Sequence, residues 1–208
     1  MSSAELLRSF RRNAVHVRQA RDLHPPGATG KVGVDGGYLR DNGQLERYKR
    51  LSIPVRRALN DTDKASFAQA LGALAHSAVP ASTLAAITIA WQTLQTELET
   101  TVGLGGMKVP RRQILADWLE AAAFYDKLDR DRPYDHLIDR WGSAAEGIGS
   151  QLMEEAAQVI VLLDDAVAVA LGEPVILPPP PKTPPPPPDP KEPWWTRVRQ
   201  ALKRPSTD

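Results

Sequence analysis

The chain has 208 residues with 26 Lys/Arg against 25 Asp/Glu, a length that fits one substantial core with attached arms rather than two large domains. Cysteine is absent, which excludes disulfides, thiolate metal sites and cysteine nucleophiles. The formal charge of +1 hides a segmented pattern: 12 Lys/Arg against 5 Asp/Glu in residues 1–60, 8 against 17 in residues 61–177, and 6 against 3 in residues 178–208. Basic ends therefore flank an acidic middle, which suits docking of one part of the chain on another as well as it suits a nucleic-acid partner.

Residues 1–22 read as a basic amphipathic helix. Ser2 and Glu5 form a capping box, Leu7, Phe10, Ala14 and Val17 line one face, and Arg8, Arg11, Arg12 and Arg18 spread over the remainder. Such a helix suits phosphate, an acidic partner or the acidic body of its own chain. Its start is arginine-rich and lacks an uninterrupted apolar core, so no secretory leader is expected.

Residues 23–43 form a Gly/Pro-rich arm, in which a short hairpin is predicted to pair Lys31–Val34 with Tyr38–Arg40. The string from Gly27 to Val32 fails as a phosphate-binding loop, because Val32 stands where a Mg²⁺-binding Ser/Thr is required.

Residues 44–177 are predicted to be an irregular, all-α helical bundle. Its first helix carries Leu45, Tyr48 and Leu51 inward and restarts at Ser52 and Pro54. Arg47, Lys49, Arg50, Arg56 and Arg57 put five cations in eleven residues around Tyr48, the pattern in the body that most resembles a phosphate-binding surface. No zinc-finger, helix-turn-helix or RNA-binding signature accompanies it, and a cationic helix docked on the acidic middle has the same appearance.

Two helices follow, over residues 64–78, capped by Thr62 or Asp63, and 82–99, capped by Ser82. Leu84, Ile87, Trp91, Leu94 and Leu98 recur at steps of three and four, which makes Trp91 an expected core anchor. Thr101–Val109 reads as a glycine-bearing loop, and Pro110 as the first residue of a helix running to Leu128. Arg111 and Arg112 lie in its first turn against the helix dipole, which hints at an anion or an acidic neighbour.

Acids and a histidine crowd between Tyr125 and Arg140. Asp135 and Asp139 share a helical face and form the alternative candidate for a metal site, but the spacing matches neither a calcium loop nor a di-iron bundle, and no cofactor is expected. His76 and His136 are the only candidate general bases in the body, neither with a nucleophile partner in sequence.

The last helix of the body is the longest. Ser143 and Glu146 cap it, Gly172 and Pro174 end it, and Leu152, Ala156, Val159, Leu163, Ala166 and Ala170 form a seam of seven-residue period along roughly 40 Å. Gly149 extends the alanine-rich seam and admits a close helix neighbour. Asp164 and Asp165 interrupt the opposite side, which is expected to remain open for a basic partner such as the N-terminal helix. These acids, with Glu173 and Pro174, also break the most apolar run, so no transmembrane segment is expected and the cytoplasm is the default location.

Residues 178–193 are a polyproline spacer, expected to be extended over roughly 50 Å. Residues 194–208 carry Trp194, Trp195, Val198 and Leu202 on one helical side among Arg197, Arg199, Lys203 and Arg204. Trp194, Trp195, Arg197, Val198, Arg199 and Leu202 are the expected partner-docking residues, with a protein or neighbouring subunit as the partner and weak membrane-surface contact as a lesser use. The sequence thus points to a noncatalytic structural or adaptor subunit of a larger assembly. A nucleic-acid accessory protein using the 47–57 cluster is the alternative, and a metal-dependent helical enzyme using the 126–139 acids the third reading.

Overall fold

In the computed structural model residues 2–23, 42–123 and 144–176 are described. Within them lie helices α1 (Ser3–Leu23), α2 (Asn42–Leu59), α3 (Phe67–Leu74) and α4 (Ala81–Glu99), strands β1 (Thr101–Leu104) and β2 (Met107–Pro110), and helices α5 (Arg111–Ala123) and α6 (Ala144–Leu171). The architecture is the expected all-α bundle, with one two-stranded ribbon added. No helix among the described residues is long and apolar enough to cross a membrane.

The long helix α6 packs against each of the other five. Its heptad seam is the reason: Leu152, Ala156, Leu163 and Ala166 are buried, with Val159 and Ala170 half-buried beside them. A second stripe of Met153, Ala157, Ile160, Val161, Val167 and Ala168 is buried as well. The helix is therefore enclosed on more than the single face the seam predicts, because small residues on both sides let several helices approach at once. Gly149 marks a close approach, since a Cβ placed there would lie 2.9 Å from Cβ and Cγ of Trp118 on α5. At the far end Gly172 adopts φ 66°. Its N–H donates to the Val169 carbonyl and that of Glu173 to the Ala168 carbonyl, a Schellman stop that satisfies the last carbonyls.

Around α6 the apolar faces meet as the spacing predicts. Leu7, Phe10, Ala14 and Val17 of α1 are all buried, and the predicted capping box forms, with the Ser2 N–H donating to Glu5 Oε2 at 2.7 Å. Phe10 meets Phe67 edge-on at 6.3 Å between ring centroids, and Phe67 stacks on Trp91 at 4.1 Å. Trp91 stays half-buried, so the fully enclosed tryptophan among the described residues is Trp118, which meets Tyr48 edge-on at 5.6 Å.

Several local expectations are corrected. Helix α2 does not restart at Pro54 but runs through it: the buried Leu51, Val55 and Ala58 hold the helix against its neighbours despite the lost N–H, and Ser52 Oγ donates to the Lys49 carbonyl. Helix α3 is capped by Ser66, whose Oγ accepts from Gln69 N–H, while Asp63 instead accepts from Ala65 N–H in the preceding loop. That helix ends at Leu74, and Ala78 is exposed. Helix α4 begins one residue before Ser82, with Pro80 at its cap. The expected loop at 101–109 is a β-ribbon, paired Thr101 to Pro110 and Leu104 to Met107. Its turn is Gly105-Gly106, at φ 56° and 81°, the positive values a tight two-residue hairpin demands. Pro110 closes the ribbon instead of opening the helix, and the Arg111 N–H donates to the Thr100 carbonyl.

The hairpin expected over residues 31–40, the acid cluster with Asp135, His136 and Asp139, and Ser143 with the Glu146 side chain lie outside the described residues. So do the spacer and the 194–208 peptide.

Candidate functional site

The arginines singled out in the sequence divide into two populations. Arg11 and Arg18 stand seven residues apart on α1, at the margin of its apolar stripe, so both reach the same neighbour two turns apart. That neighbour is the C-terminal end of α6. Arg18, only 3% exposed, donates from Nη2 to Asp164 Oδ2 at 3.0 Å and to Asp165 Oδ1, and from Nη1 to the Ile176 carbonyl at 2.7 Å. Arg11 donates from Nε to Glu173 Oε2 at 2.9 Å and from Nη2 to the Pro174 carbonyl. A helix C-terminus carries partial negative charge, which favours the same two cations. Arg47 on α2 is 1% exposed and pairs with Glu154, nearer the middle of α6. The side of α6 expected to await a basic partner is thus occupied by the chain's own N-terminal helix. Asn13 completes the docking of α1 by donating from Nδ2 to the Pro54 carbonyl at 2.8 Å.

These clamps set the protonation of their acids. Burial pushes the Asp164 carboxyl above its ordinary value, opposed by the hydrogen bond and charge of Arg18 and the charge of Arg11, while the adjacent Asp165 pushes it further up. Burial likewise raises Glu154, against the charges of Arg47 and Arg21 and the Arg47 hydrogen bond. A carboxyl raised in the folded state binds its proton more readily there than in the unfolded chain. Its contribution to stability is complete below the unfolded value and is lost as pH rises through the folded one. Between about pH 4 and pH 7 the stability difference between Asp164→Asn and the parent chain is therefore expected to shift in the variant's favour, as read by urea unfolding at each pH. A difference independent of pH would show that burial does not raise this carboxyl.

The second population faces outward. Arg8, Arg12, Arg50, Arg56 and Arg57 are exposed and Lys49 is half-buried, so within the 47–57 cluster it is Arg47 that is withdrawn from the surface. Arg56 borders a small groove of about 200 Å³ with Arg112 over Leu59, Leu98 and Leu115. Arg12 and Arg57 border a larger cleft of about 640 Å³ together with His16 and Lys64. Arg111 and Arg112 find the acidic neighbour their position implies: Arg111 pairs with Glu97, and Arg112 Nε donates to Glu99 Oε1 at 2.9 Å.

His76 is exposed, and no group of three or more His, Asp or Glu residues among the described ones is arranged to hold a metal ion. The candidate metal pair Asp135 and Asp139 and the docking residues of the 194–208 peptide lie outside the described residues. The sequence reading missed Glu173 as a partner, although a lone acid just past a helix C-terminus, opposite an arginine-rich helix, carried that signal. It also missed His16 and Lys64, whose approach to Arg57 has no local signature; only the four-residue step from Arg12 to His16 shows in the sequence. Comparison with protein-family models, curated proteins and solved structures finds no match to this chain.

Proposed function

We infer that the protein is a noncatalytic adaptor or structural component whose body is a rigid platform and whose Trp/Arg peptide at residues 194–208 docks on a partner protein. The observation that carries this reading is the composition of the chain beyond the body. Two of the five tryptophans stand together at 194–195, among four cations, behind a run in which proline dominates. Adjacent tryptophans with arginines are the residue types that anchor interfaces, and a stiff spacer raises the effective concentration of the second contact once the first is made. The nucleic-acid reading loses weight because Arg47 of its 47–57 cluster, and Arg11 and Arg18 of the basic N-terminal helix, are spent inside the bundle.

Deleting residues 190–208 is expected to leave far-UV helical content nearly intact while the sedimentation coefficient of the assembled species falls to that of a smaller particle. Sedimentation unchanged by the deletion would remove the tail from the assembly and end this reading.

A further inference from the structure

The cleft between α1, the last turn of α2 and the α2–α3 loop gathers Arg12, His16, Arg57 and Lys64 around one concavity of about 640 Å³. Like charges brought together without a counter-ion repel, and most other arginines described in the bundle face a carboxylate. Here Arg12 and Lys64 make no ion pair among the described residues. The one acid in the lining, Asp63, is already committed: its Oδ1 accepts from Ala65 N–H at 2.8 Å, and its Oδ2 lies 3.7 Å from Nε of a largely exposed Arg57. Two arginines and one lysine against one carboxylate give the lining a net formal charge of +2, histidine counted as neutral. Its neutral members are hydrogen-bonding groups, Ser9, Asn13 and Thr62, with Ala65 the sole apolar residue, so the cleft suits a charged ligand in place of a greasy one.

We propose that this cleft is a binding site for a small phosphorylated anion carrying at least two negative charges. Guanidinium groups approach phosphate oxygens bidentately and an ammonium group supplies a compact third charge, a combination that arginines 12 and 57 with Lys64 provide from three separate segments. Concave walls focus their field on the interior. The volume falls within the range of small-ligand sites, about 300–1,000 Å³, and the three cations line this single concavity. The site belongs to the body, its lining lying between Ser9 and Ala65.

Calorimetric titration of the full chain with sodium pyrophosphate, at constant low ionic strength balanced with chloride, is expected to give saturable one-to-one binding. Arg12→Gln, Arg57→Gln and Lys64→Gln should each weaken it about tenfold, the loss of one charge-assisted contact. Arg8→Gln, on α1 but outside the cleft lining, should leave it unchanged. All four side chains are exposed, and coincident thermal unfolding curves keep folding out of the comparison. Absence of saturable pyrophosphate binding would overturn the proposal, as would an equal loss in Arg8→Gln. A single-stranded oligonucleotide that binds through Arg57 and Lys64 where pyrophosphate does not would also overturn it, in favour of a nucleic-acid surface.

Discussion

Arg18→Met is expected to destabilise the bundle by about 3–5 kcal/mol in urea unfolding, the loss seen when one partner of a buried ion pair is removed. The reason is what the substitution leaves behind. Asp164 has a side chain 1% exposed, and its Oδ1 has no hydrogen-bond partner among the described residues even with the arginine in place. Without Arg18 both Asp164 and Asp165 lose their cation, and the Ile176 carbonyl loses a donor. Asp164→Asn should cost much less, because Arg18 keeps Asp165 and the two backbone acceptors, Val161 and Ile176. The raised Asp164 carboxyl leads to the same asymmetry, since burial of the charge already outweighs its pairing. A loss under about 1 kcal/mol for Arg18→Met, the worth of an exposed pair, would show that α1 is not clamped to α6 in this way.

Two glycines in the first turns of α6 should respond to the same substitution with opposite signs. Glycine within a helix costs roughly 0.5–1 kcal/mol relative to alanine, so Gly147→Ala, where nothing lies within 4 Å of the added Cβ, is expected to stabilise by about that amount. Gly149→Ala is expected to destabilise by about 1–3 kcal/mol despite the same backbone gain, because its Cβ would meet the root of the Trp118 side chain at 2.9 Å. Trp118 is fully buried and meets Tyr48, so its ring has little room to retreat. Equal stabilisation at both positions in thermal unfolding would mean that α5 and α6 do not approach so closely.

Both experiments concern contacts that the sequence exposed unevenly. The seam of α6, the apolar stripe of α1 and its capping box were legible because each follows one local rule of periodicity or capping. Gly149 was legible as a point of close approach; its occupant, Trp118, was not, since tryptophan on α5 read equally well as core against any neighbour. The ribbon at 101–110 was misread although Gly105-Gly106 between Val102 and Val109 carried a hairpin signal, because its strands are only four residues long. Proline at 54 misled for the opposite reason: a local breaker was overridden by burial on both sides of it. The candidate site was the least legible part. Arg11 and Arg18 differ from Arg8 and Arg12 only in position around one helix, and which pair is spent internally is decided by the packing of α6. The cleft joins residues 12 and 64 through tertiary structure alone.

The proposed function sets a body that consumes part of its own basic charge beside a tail whose sequence carries tryptophans among arginines. The most direct measurement is what copurifies, at low salt, with the full chain beside a form lacking residues 190–208. A protein recovered in stoichiometric amount with the first and lost from the second is the predicted result. Nucleic acid recovered with both forms, or the same proteins recovered in equal amount, would contradict it.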